Sequence, residues 1–254
     1  MKKKILSLCL VIALAATAII GGTLAYFTDT EQQTNTMTIG DVEINIEELM
    51  KNPDWTEGST EDKYIDFDED ELTLFPIKND LGVSLLNKMV YTFNTSSSEY
   101  DAYIRTIVLF EYNDQVAACA DDCLNGIHFS YSNADYTVPT TEKQSHGSTN
   151  EVLGVMTVNG VKYQVVVFTA ADENAIPYGE ALGAINGVWI DENVTQKQAE
   201  TWGDDIDIIV FSQAIQSTGL THSEAMYALG EVTEANLNSW IGEDDAVIND
   251  IFGN

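Results

Sequence analysis

Apolar and polar positions divide the chain into one continuous apolar run followed by many short alternating stretches. The continuous run is Ile5–Ile20, preceded by Lys2, Lys3 and Lys4 and followed by Gly21-Gly22-Thr23-Leu24-Ala25. Charge, apolar core and small residues in that order make a secretory signal. The run is somewhat short for a membrane span of about 20 apolar residues, and no basic stop follows it. Cleavage between Ala25 and Tyr26 is therefore expected over retention as an anchor, leaving one domain over 26–254. Residues 26–36 are polar and aperiodic, which predicts a flexible leading segment. Met37 and Ile39 then fall in one alternating phase, and Val42, Ile44 and Ile46 in the other. A strand changes face only at an inserted residue or a break, and Gly40-Asp41 stands at the flip. One half of such a segment can pair inside its own domain and the other outside it. That is the geometry of a subunit that lends a strand to a neighbour.

Further along, residues 50–71 read as loop, and Leu72–Pro76 as a short strand ended by its proline. Met89–Phe93 alternates, and Tyr103–Tyr112 is dense in β-branched and aromatic residues, so both predict strands. Ile127–Tyr131 follows, then a polar loop over 132–150. Val152–Val158 and Val161–Phe168 flank Asn159-Gly160, a pair suited to a two-residue type I′ hairpin turn. The second arm is apolar on both faces and belongs inside a sheet. Gly187–Ile190 is a further short strand. From 195 to 241 the pattern predicts a strand over Ile206–Gln216 with short helices around it. Thr195-x-x-Gln198 and Thr221-x-x-Glu224 are capping boxes, and Thr233–Ile241 places Leu237 and Trp240 inward. The fold class is thus mainly β, a jelly-roll-like sandwich with helical excursions in the C-terminal half.

Charge narrows the partners. The chain carries 41 acidic residues against 11 Lys and Arg, a net charge of −30. Loss of Lys2, Lys3 and Lys4 with the signal takes the exported form to −33. That excludes nucleic acid, whose phosphates demand basic side chains. It equally disfavours an anionic membrane surface, so membrane contact is expected only through the uncleaved signal. Asp66, Asp68 and Asp70 alternate as in a calcium loop, but Glu71 stands where the EF-hand pattern needs Gly. A solvated charge run is the preferred reading, and loosely bound calcium is the one candidate cofactor. Cys119 and Cys123 survive signal removal. In an exported protein they are expected as a local disulfide, with half of a zinc site or free thiols as alternatives.

Gly21-Gly22-Thr23-Leu24-Ala25-Tyr26-Phe27-Thr28-Asp29-Thr30-Glu31, followed by Asn35-Thr36-Met37-Thr38-Ile39-Gly40, resembles the SipW-dependent signal junction of the TasA/camelysin family. Looser likeness extends to Asn94-Thr95 through Tyr103-Ile104-Arg105, and to Ile209–Gly219. The resemblance implies an exported β-sandwich from a Gram-positive cell, matured by a SipW-type signal peptidase. Some relatives build extracellular matrix fibres, and others are described as surface metalloproteases. The expectation is a secreted biofilm-fibre subunit, major or accessory, that self-assembles by N-terminal strand addition. The alternatives are a monomeric surface adhesin or ligand-binding module using Trp55, Trp189 or Trp202 as contacts and, less favoured, a camelysin-like surface metalloprotease.

An enzymatic role is not expected. The histidines are His128, His146 and His222, none within four residues of another, and H-E-x-x-H is absent. No G-x-S-x-G elbow or nucleotide-binding glycine loop occurs. Arg105 is the only arginine, and among so many acids it is expected to form an internal ion pair holding two strands, or a strand and a loop.

Overall fold

A computed structural model describes residues 28–32, 35–37, 42–67, 74, 76–82, 84–96, 100–114, 126–201 and 206–242. The protein is mainly β. Its largest sheet, sheet I, runs in the order β11 (Ser148–Val158), β12 (Val161–Ala170), β7 (Ala102–Glu111), β15 (Ile208–Gln216), β1 (Thr28–Gln32), β2 (Asn35–Met37). Sheet II runs β4 (Tyr64–Asp66), β3 (Ile44–Lys51), β6 (Met89–Asn94), β13 (Ala181–Gly183), β10 (Gln144–His146), β9 (Tyr136–Thr137). Sheet III is β5 (Pro76–Ile77), β14 (Gly187–Asp191), β8 (Ile127–Ser130).

Sheet I packs on sheets II and III to make a two-layer sandwich. Val108 and Phe110 of β7 with Val166 and Phe168 of β12 meet Ile127, Val188 and Ile190 of sheet III. Ile104 and Ala214 of sheet I meet Ile44 and Leu182 of sheet II. Both clusters are fully or almost fully withdrawn from water, the dominant favourable term in folding. Between the layers, the hydroxyls of Thr92, Thr106 and Ser212 bond one another at 2.7–3.0 Å, so three buried polar groups satisfy themselves.

Among the described residues, four short helices cover the outside: α1 (Asn79–Gly82), α2 (Gln196–Ala199), α3 (His222–Ala228) and α4 (Glu234–Gly242). Thr221 and Glu224 close a reciprocal capping box on α3. Thr195 and Gln198 do the same at α2. Helix α4 lays Leu237 and Ile241 on the outer face of sheet I, against Ile107, Leu109 and Phe211. The hairpin turn has Asn159 at φ 49° and Gly160 at φ 88°, both positive as a type I′ turn demands.

Several elements differ from the sequence reading. Residues 64–66 form a strand inside the expected loop, pairing with Leu49–Lys51. The expected loop over 132–150 contains β9, β10 and the start of β11. Pro76 begins a strand rather than ending one; β5 pairs in parallel with β14 at the sheet margin, where a missing N–H is tolerated. Residues 28–32, expected as flexible, pair antiparallel with Phe211–Ile215.

Candidate assembly surface

The N-terminal segment pairs with the body along β15, and β1 also lies beside β3. Thr28–Gln32 pairs with β15 in the register Thr28↔Ile215 to Gln32↔Phe211. It then folds back on itself, Thr30↔Met37 to Gln32↔Asn35. The paired sequence, Thr-Asp-Thr-Glu-Gln, has no apolar residue. Backbone hydrogen bonds can hold such a strand whatever its side chains, which is why its polarity hid it in the sequence. Strand β2 is the last of sheet I, with Met37 at that margin.

The second half of the expected donor strand belongs to the protein's own fold. Val42 and Ile44 are buried in the sandwich, and Ile46 packs against the separate cluster around Val90 and Val108. Ile44–Leu49 pairs with Met89–Asn94. Glu48 is bound by Lys88 at 2.5 Å, with their side chains 5% and 4% exposed, and the Lys88 ammonium sits 3.7 Å from the Phe67 ring centre. A buried ion pair tolerates no loss of either partner, so β3 is anchored here. Any strand-lending role is thereby confined to residues before Val42. Ala25, Tyr26, Ile39, Cys119, Cys123, Asp68 and Asp70 lie outside the described residues, as does Trp202. Asp66 is exposed and ends β4.

At the far side of sheet I, β11 is the other terminal strand. Its two ends are occupied. The Ser148 amide donates to the Ser132 carbonyl. At the hairpin end, the Thr157 and Asn159 amides donate to the side chains of Glu234 and Asn238, and the Asn238 amide donates to the Thr157 carbonyl. Helix α4 therefore guards part of an edge that would otherwise invite pairing. Its position depends on Arg105, which is buried under the α3–α4 connection. The guanidinium donates to the Gln213 Oε1 and to the Leu229 and Gly230 carbonyls, and lies 5.4 Å from the Trp240 ring centre. Burial lowers its pKa to about 10, so it stays charged at neutral pH. The expected internal role stands, but these partners are an amide and carbonyls rather than a carboxylate.

The histidines occupy separate structural settings. His128 bonds Asp191 at 2.7 Å and stacks on Trp189 at 5.4 Å. Burial pushes the Asp191 carboxyl up, but bonds from His128 and Asn193 outweigh it and hold the group below its ordinary range. His146 bonds Glu180 at 2.6 Å, and His222 meets the edge of Tyr103. Among the described residues, no three His, Cys, Asp or Glu side chains are placed to hold one metal ion. Trp189 is fully buried, so it offers no ligand contact. Trp55 is half-buried, with the Lys51 and Lys63 ammonium groups 6.0 and 5.2 Å from its ring centre.

A family model described as camelysin metallo-endopeptidase matches residues 1–52. The TasA/camelysin resemblance read at the signal junction therefore holds over that stretch. The match covers the residues before β1, the β1–β2 hairpin and β3, while the rest of the sandwich lies beyond it. No curated protein and no solved structure matches the chain. The described donors do not fit the metal site that the family's description implies. Among the described residues, no helix is long and apolar enough to cross a membrane.

Proposed function

We propose that the protein is an exported structural subunit of the extracellular matrix or cell surface, assembling by N-terminal strand addition. The observation that carries this reading is the pairing of β1 with β15 through a strand of wholly polar residues. Nothing in that pairing is specific to the chain's own N-terminus. The same five residues from a second copy can enter the same slot in the same register. Exchange of an identical element between copies costs little, and a non-closing exchange produces a filament. Release of Tyr26 from the signal by a SipW-type peptidase frees the segment to move. The camelysin-family match over residues 1–52 supports export of a related kind. Net charge sets the conditions: at −30 over the whole chain, two copies repel until protons or cations reduce the field.

The test is electron microscopy of the protein collected from culture medium, across pH 4–8 and with added divalent cation. Filaments are expected, more abundant at lower pH or with cation. A synthetic peptide covering residues 26–40 should block growth by filling the slot. Monomers under every condition would refute the proposal.

A further inference from the structure

We infer that β11 is a second docking edge, and that its occupant is the outer edge of β2 from another copy of this chain. The inference rests on the assembly reading above. Both strands terminate sheet I, at opposite ends. In antiparallel pairing, alternate residues turn their amide and carbonyl away from the partner strand. On β11 the outward set is fixed by Ser148 at one end and Thr157 at the other, whose amides bond Ser132 and Glu234. Alternation, with the one-residue slip between Val152 and Gly154, makes Asn150, Val152 and Val155 the remaining outward positions. These three lie between the two guarded ends.

Their side chains share the inner face of sheet I, opposite Phe168, Val166 and Gln164. Yet Val152 is 48% exposed and Val155 44% exposed, so the second layer stops short of β11. The adjoining margin is aromatic. Phe129 stacks on Phe110 at 5.6 Å, and Tyr131, 42% exposed, meets Phe168 edge-on. The result is an apolar shelf beside unpaired backbone, suited to an incoming extended strand.

Charge selects the occupant. In a chain of net charge −30, any contact between copies must form where acids are sparse. β11 has one acid in eleven residues, Glu151, which points to the opposite face across from Val167. β2 lies in 32–40, which contains no charged residue. Two acid-poor sheet margins on one anionic molecule meet with little local repulsion. β2 remains the outermost strand whether its hairpin sits on its own β15 or a neighbour's. The β2–β11 contact therefore adds to strand exchange without competing with it, and continues sheet I from copy to copy.

Hydrogen exchange on the secreted wild-type protein, assembled and monomeric, tests this directly. On assembly, amides in 148–158 and in the β2 peptide should both slow by tenfold or more. The double variant Val152→Lys plus Val155→Lys, at half-exposed positions, should melt near wild type. It should need at least tenfold more protein to assemble. Unchanged exchange over 148–158 in assembled wild type would overturn the inference, as would wild-type assembly by the double variant. In either case, continued blocking by the 26–40 peptide would leave the strand-exchange reading standing. A wild-type protein that never assembles overturns both.

Discussion

Replacing Arg105 with alanine perturbs both the helical layer and the guard on β11. The side chain is 4% exposed, and its loss strands the Gln213 side chain and the carbonyls of Leu229 and Gly230 beneath the α3–α4 connection. Charge-assisted hydrogen bonds contribute about 1.5–3 kcal/mol each. Three neutral acceptors lose their donor, at about 1–3 kcal/mol for each one left unsatisfied, so a total of about 3–5 kcal/mol is expected once the site relaxes. For a domain of this size that corresponds to a fall in melting temperature of roughly 6–20 °C. Arg105→Lys keeps the charge but not the planar fork, so it should recover less than half of the loss. Calorimetry gives the magnitude. Hydrogen exchange gives the location, because α3 and α4 should open before β7 and β12 do. Melting within about 2 °C of wild type would refute the claim that this guanidinium holds the helical layer to the sheet.

Three further outcomes rest on other features of the fold. Stability should peak in mild acid. Burial raises the carboxyls of Glu47 and Glu111 above their ordinary values, outweighing the Lys143 ammonium near Glu47 and the Asp207 amide that donates to Glu111. The folded chain thus binds those protons more tightly than the unfolded one, and stability falls as pH climbs above about 4.5 through the raised values. Asp191, Asp172 and Glu224 are depressed by their hydrogen bonds, so their contribution disappears as pH drops through the acid range below their ordinary values. Urea midpoints measured from pH 3 to 8 should show this maximum, and Glu111→Gln should flatten its alkaline side. Gly160→Val, forced to adopt φ 88° in the hairpin turn, should cost about 1–2 kcal/mol by denaturant titration. Gly147→Ala should cost roughly 1–3 kcal/mol, since its Cβ would come 2.4 Å from the backbone of Asn133 and Ala134.

The sequence made some elements legible and concealed others for definite reasons. The Asn159-Gly160 hairpin, β7, β15 and the two capping boxes were readable because each carries its own local signal. β12 was readable as an inner strand because both its faces are apolar, and it does lie between β11 and β7. β1, β4, β9 and β10 were not, because polar or very short strands are defined by a distant partner's backbone. The phase flip at Gly40-Asp41 falls outside the described residues, between β2 and β3. It separates a marginal β2 from a β3 held by the Glu48–Lys88 pair and by Ile44 in the core. Trp189 shows the limit for contact residues: composition alone did not place it under His128 and against Gly82, where even a methyl group would meet its ring at 2.2 Å.

Strand exchange can be measured without resolving the whole assembly. A photo-crosslinker at Thr30, which faces Gln213 in the β1–β15 register, is placed in a one-to-one mixture of isotope-heavy and isotope-light protein. After assembly, the account predicts that roughly half of the 30–213 cross-linked peptides join a heavy chain to a light one, as random neighbours must. Cross-links confined to single chains within assembled filaments would contradict it.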